Sequence, residues 1–315
     1  MYTQFSYEGM TVQINLYTLK LAAIDIGSNA IRFQVINVLD HNKHKPIFKK
    51  LEYIRFPLRL GRDVFTKGYV PDDKKQKFLQ LMQTFKLLME LYEVDNYRAC
   101  ATSAMRESSN GKEIVTEVKE KIGLSIELID GKTEAALINI VINDFLKDET
   151  FLHIDVGGGS TELNLYIDSS IIASQSFKIG SVRRLENSDS PESWDELKDW
   201  VLTNIKKKHG NVTAIGTGGN INKIFDLANR KIGKTISLKK INSIVKLIKS
   251  YTLEERHNYL QLAHDRADVI VPASEIYVAI MKWAGATNIV VPDVGLKDGL
   301  LHDMFHKNKK QVLHP

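Results

Sequence analysis

Glycine runs flanked by carboxylates are the residues of this chain best suited to chemistry. "FLHIDVGGGSTELNLYID" (residues 151–168) sets Gly157, Gly158 and Gly159 between Asp155 and Glu162, with Ser160 and Thr161 directly after them. Backbone N–H groups bind phosphate oxygens well where no side chain intervenes, and glycine supplies that approach and unusual backbone angles. The stretch can therefore cradle phosphate on N–H groups and two hydroxyls. Mg²⁺, or Mn²⁺ in its place, accompanies such oxygens and is held by a few carboxylates. Asp155 and Glu162 are set for that duty; the plainer reading is that each caps a turn.

The layout occurs twice. "LAAIDIGSNAIRFQVINV" (21–38) repeats the apolar run, the Ile-Asp pair, the Gly-containing turn and the alternating tail. It makes Asp25 the counterpart of Asp155, hence a further metal-side acid, and offers Ser28 and Asn29 to phosphate. A third stretch, "GTGGN" (216–220), brings Gly216, Thr217, Gly218 and Gly219 to the start of a helix, where the dipole favours anions. Arg32 follows the first turn and Arg106 closes "ATSAMRES". A guanidinium forks onto phosphate oxygens, although a lone arginine is more often a surface ion pair. The Walker pattern is absent, since no lysine follows Gly159, and a strand rather than a Rossmann helix follows the glycines. No Ser-His-Asp or Cys-His set competes, and the nine histidines lack metal-ligand spacing. His153, beside Asp155, reads as a core or edge residue.

These loops need elements to hold them. After each of the first two turns the apolar residues alternate (Ile31, Phe33, Val35; Leu163, Leu165, Ile167), which predicts two hairpins. Residues 97–105 read as a strand running into a loop, 111–123 as a helix stopped by Gly123, 124–130 as a strand and 133–146 as an apolar helix. Ser190-Pro191 starts another helix, striped by Trp194, Leu197, Val201 and Ile205. Residues 211–228 read as strand, turn and helix, with Ile221, Ile224, Phe225 and Ala228 on one side. Thr252 and Glu255 form a capping box. A helix at about 270–285, a strand at 288–292 and a last helix complete an α/β pattern. A length of 315 residues suggests about two domains. We expect them at 1–146 and 147–315, with a linker near 146–150, a cleft between them and the last helix packed back on the first domain. Residues 1–19 are a candidate leader, and Met10 a candidate start.

Composition narrows the partners. The chain is 43% hydrophobic and 26% charged, as in soluble globular proteins. It has no apolar run long enough to span a bilayer and no signal-peptide pattern, so no membrane partner is expected. One cysteine, Cys100, excludes an intrachain disulfide and fits the reducing cytoplasm. A net charge of +5 favours anionic partners. The basic clusters at 206–210 and 306–311 lack interleaved aromatics, so nucleic acid is not expected. A homodimer is left open.

Together, "AIDIGSNAIRF", "ATSAMRES", "IDGKTEAALI", "IDVGGGSTEL", "FKIGSVRRLE", "AIGTGGNINKI" and "RADVIVPASEIYVAI…VPDVGLKDGL" resemble the exopolyphosphatase and guanosine pentaphosphate phosphohydrolase family of the actin-like ATPase superfamily. The resemblance runs from Lys20 to about Phe305. It implies two ribonuclease-H-like (actin-like) domains around a cleft, and Mg²⁺-dependent removal of terminal phosphate from polyphosphate or guanosine pentaphosphate, with guanosine tetraphosphate a related ligand. By position it implies that Glu134 activates the attacking water, that Asp155 and Glu162 are the metal-side acids, and that Arg32 and Arg106 bind phosphate. The chain departs from the family pattern at Thr133, Asn220, Ala273 and Lys297. Two readings compete: an actin-like ATP-dependent kinase, and a non-catalytic sensor of guanosine tetraphosphate or polyphosphate, against which the intact Glu134 argues.

Overall fold

A computed structural model describes residues 2–7, 10–15, 17–40, 45–146, 149–206, 212–229 and 234–313. Two mixed sheets dominate it. The first half runs β1 (Tyr2–Tyr7), β2 (Met10–Asn15), β3 (Tyr17–Ile26), β4 (Ile31–Asp40), β5 (Ile47–Phe56), α1 (Leu60–Lys67), α2 (Asp72–Leu91), β6 (Asn96–Ala101), α3 (Ser103–Glu107), α4 (Gly111–Ile122), β7 (Glu127–Leu128) and α5 (Gly131–Ile142). The second runs β8 (Phe151–Val156), β9 (Thr161–Ile167), β10 (Ser170–Phe177), α6 (Ser181–Leu185), α7 (Pro191–Val201), β11 (Thr213–Thr217), α8 (Gly219–Leu227), β12 (Thr235–Ser237), α9 (Leu238–Ser250), α10 (Leu253–Asn258), α11 (His264–Ala267), α12 (Ile270–Ala284), β13 (Asn288–Val290) and α13 (Leu296–Leu313).

The first sheet is ordered β5-β4-β3-β6-β7 and the second β10-β9-β8-β11-β13-β12. In each, an antiparallel three-strand meander is followed by parallel strands that need helical crossovers. This is the same topology twice, with β12 added at one edge. It is the mixed α/β, two-lobed architecture that the repeat implies. The meander's third strands, β5 and β10, were not foreseen, because β5 carries a partly exposed, irregular pattern and little apolar alternation.

Central strands are buried on both faces, so β8 is buried throughout. Ile31, Phe33 and Val35 join one core with α2 and α4, where the Phe33 and Phe85 rings stack at 4.6 Å. Leu163, Leu165, Leu197, Val201, Ile205, Ile221, Ile224 and Phe225 join a second core, as their spacing predicted. A third core draws on both sheets and on α13: Leu300, Leu301, Met304 and Phe305 pack with Leu21, Ile36, Phe151 and Ile215. The last helix thus lies against the first sheet. Gly299 makes the crossing possible, since a Cβ there would stand 2.2 Å from the Leu137 carbonyl.

Caps fall where the residues set them. Ser190 accepts from Ser193, Thr252 and Glu255 close their capping box, and Gly123 ends α4 in the left-handed region at φ 73°. Two expectations need correction. The strand expected at 124–130 pairs only at Glu127–Leu128, because Asp130 is already the N-cap of α5, accepting from the Thr133 N–H at 2.7 Å. The residues after β6 are not a loop but α3, which carries Arg106. Within residues 1–19, Tyr2–Tyr7 pairs with Met10–Asn15 in a separate hairpin, and β3 begins at Tyr17. The expected linker falls partly on residues 147–148, outside the described residues, as does most of the basic cluster at 206–210. Among the described residues no helix is long and apolar enough to cross a membrane.

Candidate active site

The two hairpin turns have one hydrogen-bond pattern. Gly27 N–H donates to the Ala30 carbonyl at 3.2 Å, and Gly157 N–H to the Ser160 carbonyl at 3.0 Å. Both turns open into a cleft of about 390 Å³ between the lobes. Of the residues singled out from sequence, Asp25, Ser28, Asn29, Arg32, Glu134, Asp155, Gly157, Gly158, Ser160, Gly218 and Gly219 line it.

Six do not. Thr161 donates its hydroxyl to the Ile179 carbonyl at 2.6 Å. Thr217 is fully buried and bonded to His153. Gly216 packs under Ile289 and Ile221, and Gly159 faces Phe65 and Ser103 of the first lobe. None of these four is among the residues that line the cleft. Glu162 lies just beneath the cleft wall, 2% exposed, opposite Asp155 in the β8/β9 register, and accepts from the Ser176 hydroxyl at 2.8 Å. Arg106 is held by the Ile129 carbonyl at 2.6 Å, and its charge draws down both Glu134 and Glu162.

None of Gly157, Gly158 and Gly159 has a positive φ. They serve closeness, not angle. A Cβ on Gly158 would stand 2.7 Å from the Ser28 Cβ, and one on Gly159 2.3 Å from Phe65. The second turn is thus pressed against the first lobe as well as against the cleft. Gly218 does need its angle, at φ 107°, to start α8 beside Asp155.

The electrostatics divide the site. Arg32 Nη1 donates to Asp25 at 2.8 Å, so that acid is already paired. Asp155 stands beside Thr217 in the β8/β11 register, and no cation bonds it among the described residues. Burial pushes Asp155 up to about 6, against Thr217 and Arg32. Burial, then Asp155, pushes Glu162 up to about 7. Burial, then Glu162, Asp155 and Asp25, pushes Glu134 well above the carboxylate range. Three carboxylates crowd each other around one wall of the cleft.

Among the described residues, no three of His, Cys, Asp and Glu gather closely enough to enclose a metal ion. Mg²⁺ does not need that many, since it takes one or two carboxylates and completes its shell with phosphate oxygens and water. The unpaired, mutually repelling acids fit such an ion.

Cleft residues missed from sequence include Arg266, Arg55 and Tyr53. Arg266 has no hydrogen-bonded partner among the described residues, and burial, Arg55 and Arg32 lower its pKa. Its Nη2 stands 2.9 Å from where a Gly219 Cβ would lie, at the start of α8. Arg55 crosses the cleft to Asp265 at 2.5 Å. Arg266 sits in the "RADVIVP" block, and that position was the signal available.

Residues 37–308 match the Ppx/GppA phosphatase family. The chain is similar to a bifunctional 3-dehydroquinate synthase/phosphatase of Fusobacterium nucleatum, at 29% identity over 86% of this chain and 44% of that protein. It therefore spans less than half the length of that relative. A putative exopolyphosphatase of Haemophilus influenzae is 22% identical over 90% of this chain and 91% of its own. A crystal structure of an exopolyphosphatase from Cytophaga hutchinsonii superposes with a TM-score of 0.79 at 23% identity, covering 91% of this chain and 98% of that one.

Proposed function

The chain belongs to the Ppx/GppA phosphatase family, and from that premise we propose that it is a Mg²⁺-dependent phosphohydrolase removing the terminal phosphate of inorganic polyphosphate or guanosine pentaphosphate. One observation carries the reading. A single cleft is walled by Glu134, Asp155, Arg32 and the Gly-rich turns of both lobes. Phosphoryl transfer asks a protein for position and charge neutralisation more than for covalent chemistry, and this wall offers both.

Asp155, with Glu162 behind it, holds the cation; Asp25 contributes mainly by fixing Arg32. When bound, Mg²⁺ neutralises charge on the transferred phosphoryl group. Arg32 binds phosphate oxygens, Arg106 adds positive charge from outside the cleft lining, where the Ile129 carbonyl holds it, and Arg266, lacking a side-chain partner, is free to join Arg32. N–H groups of Gly158 and Gly219 line the approach, with Ser28 and Ser160 as further donors; the Gly157 N–H is taken by the Ser160 carbonyl and the Asn29 amide by Asp265. Glu134 takes the proton of the attacking water. Burial and the neighbouring carboxylates raise its pKa, which makes it a stronger proton acceptor than a free carboxylate.

The test is phosphate release from polyphosphate, guanosine pentaphosphate and ATP with Mg²⁺, then in chelator. Glu134→Gln keeps the shape and removes the proton acceptor. Its turnover should fall by roughly 100-fold or more with substrate binding little changed. Phosphate transfer from ATP to an acceptor would instead favour the kinase, and binding without turnover the sensor.

A further inference from the structure

His153 lies two residues before Asp155 in β8, on the same face of the sheet, and is fully buried. The mechanism above does not use it. Its surroundings nevertheless form a continuous polar row through an apolar sheet. Strand register sets the row. Ser174 in β10 faces Asn164 in β9, Asn164 faces His153 in β8, and Thr217 faces Asp155 where β11 pairs with β8. The Ser174 hydroxyl donates to Asn164 Oδ1 at 2.6 Å. Asn164 Nδ2 is 3.0 Å from His153 Nδ1, and His153 Nε2 is 2.8 Å from Thr217 Oγ1. Thr217 is the register partner of Asp155, and its hydroxyl draws that carboxyl down.

Donor and acceptor roles follow from either end. An amide nitrogen only donates, so His153 Nδ1 accepts and the ring proton is on Nε2. An ionised carboxylate only accepts, so Thr217 gives its one hydroxyl hydrogen to Asp155 and must accept from His153. Both ends require the same tautomer. Buried polar groups are retained where each is satisfied, and this row is satisfied along its whole length.

We propose that His153 is a positioning residue, whose Nε2–H fixes the Thr217 hydroxyl as a donor to Asp155 and so aims that carboxylate at a divalent cation in the cleft. The proposal rests on the reading of Asp155 as a cation ligand. Groups behind a metal ligand typically hold its orientation, and losing one costs roughly 10- to 100-fold in metal affinity. A hydrophobic residue at 153 would leave Thr217 free to turn and Asn164 without its acceptor.

Two readouts test this without relying on turnover. Nitrogen NMR of histidine-labelled protein should find His153 protonated on Nε2 and bare on Nδ1; the opposite tautomer overturns the proposal. Mn²⁺ titration, followed by the loss of the free-ion paramagnetic resonance signal, should give about tenfold weaker binding for His153→Leu. His153→Gln, which keeps a donor near the Nε2 position, should bind Mn²⁺ within a few-fold of wild type. Thr217→Ser should bind like wild type and Thr217→Val like His153→Leu, with thermal midpoints recorded for each. If His153→Leu binds Mn²⁺ as the wild type does, or His153→Gln loses as much as His153→Leu, the row is only structural and the proposal fails. Wild-type protein that binds no Mn²⁺ overturns the cation reading of Asp155 itself, and this proposal with it.

Discussion

Asp25 and Asp155 occupy one place in two hairpins of the same register, yet their cross-strand partners are opposite in charge. Asp25 faces Arg32, and the two form an ion pair. Asp155 faces Glu162, and the pair repel inside a buried wall. One backbone plan has been filled in two ways. In the first lobe the acid is neutralised within its own hairpin and serves to hold a guanidinium at the cleft. In the second, no cation of the described residues pairs with the acid. A duplicated scaffold thus yields an ion-paired half-site and an acidic half-site, and it is the acidic one that the reading proposed above takes as the cation's ligand.

The sharpest way to break this comparison is to remove the two acids in turn. Asp155→Asn keeps the shape and the acceptor for Thr217 but removes the charge that faces the cation. We expect phosphate release to fall roughly 1000-fold, the several kcal/mol a catalytic cation supplies at about 1.4 kcal/mol per tenfold. Asp25→Asn only loosens Arg32, losing one charge-assisted hydrogen bond of about 1.5 kcal/mol, or about tenfold. Steady-state rates over a Mg²⁺ series should separate the two, with only Asp155→Asn altering the metal dependence. Equal losses would mean the hairpins are equivalent after all.

The two turns differ in packing as well, and Gly158 tests that difference. Gly158→Val drives a branched side chain into Ser28 across the lobe boundary, where even a Cβ would stand at 2.7 Å. The lobes must part or the turn must move. Gly157→Ala meets only the Ser160 carbonyl, at 3.2 Å. We expect Gly158→Val to fold, to scatter X-rays as a more open particle and to bind polyphosphate about tenfold more weakly, with Gly157→Ala close to wild type. Unchanged scattering and affinity in Gly158→Val would return the three glycines to the role of a plain turn.

Why the hairpins and their acids were legible in the sequence, and other parts were not, follows from the same physics. Strands buried on both faces and turned by glycine write a strong local pattern, so β3–β4 and β8–β9 stand out at Asp25 and Asp155. Arg266 and Arg55 reach the cleft from α11 and an edge strand, and Asp265 bonds Arg55; "RADVIVP" marks the position of Arg266 but not its chemistry, and only the folding of distant segments brings these residues together. Thr217 looked like a phosphate ligand because "GTGGN" resembles a loop. The register of β11 against β8 turns its side chain into the sheet instead. His153 was read as a core residue, and it is one, but its partners Asn164 and Thr217 come from two other strands that no local pattern names.

The smallest expected effect is also the one whose sign is most telling. Glu162 is buried beside Asp155, and its pKa rises from an unfolded value of about 4.5 to about 7. A folded pKa above the unfolded one means the native state holds its proton more tightly. That contribution to stability is present in full below about pH 4.5 and is lost as the pH rises through about 7. In chelator at pH 8, ionised Glu162 therefore opposes folding, and Glu162→Gln removes the repulsion while keeping an acceptor for Ser176. Urea unfolding of the metal-free protein should find Glu162→Gln more stable than wild type at pH 8, by on the order of 1 kcal/mol, with the gap closing toward pH 5. Arg32→Ala should go the other way. It leaves Asp25, only 6% exposed, without its partner, at a cost of about 1–3 kcal/mol. A Glu162→Gln protein that gains stability while losing Mg²⁺-dependent phosphate release would locate the strain and the function in one residue. One that is less stable at pH 8 would mean that the Ser176 bond outweighs the repulsion, and the second hairpin would then be as well compensated as the first.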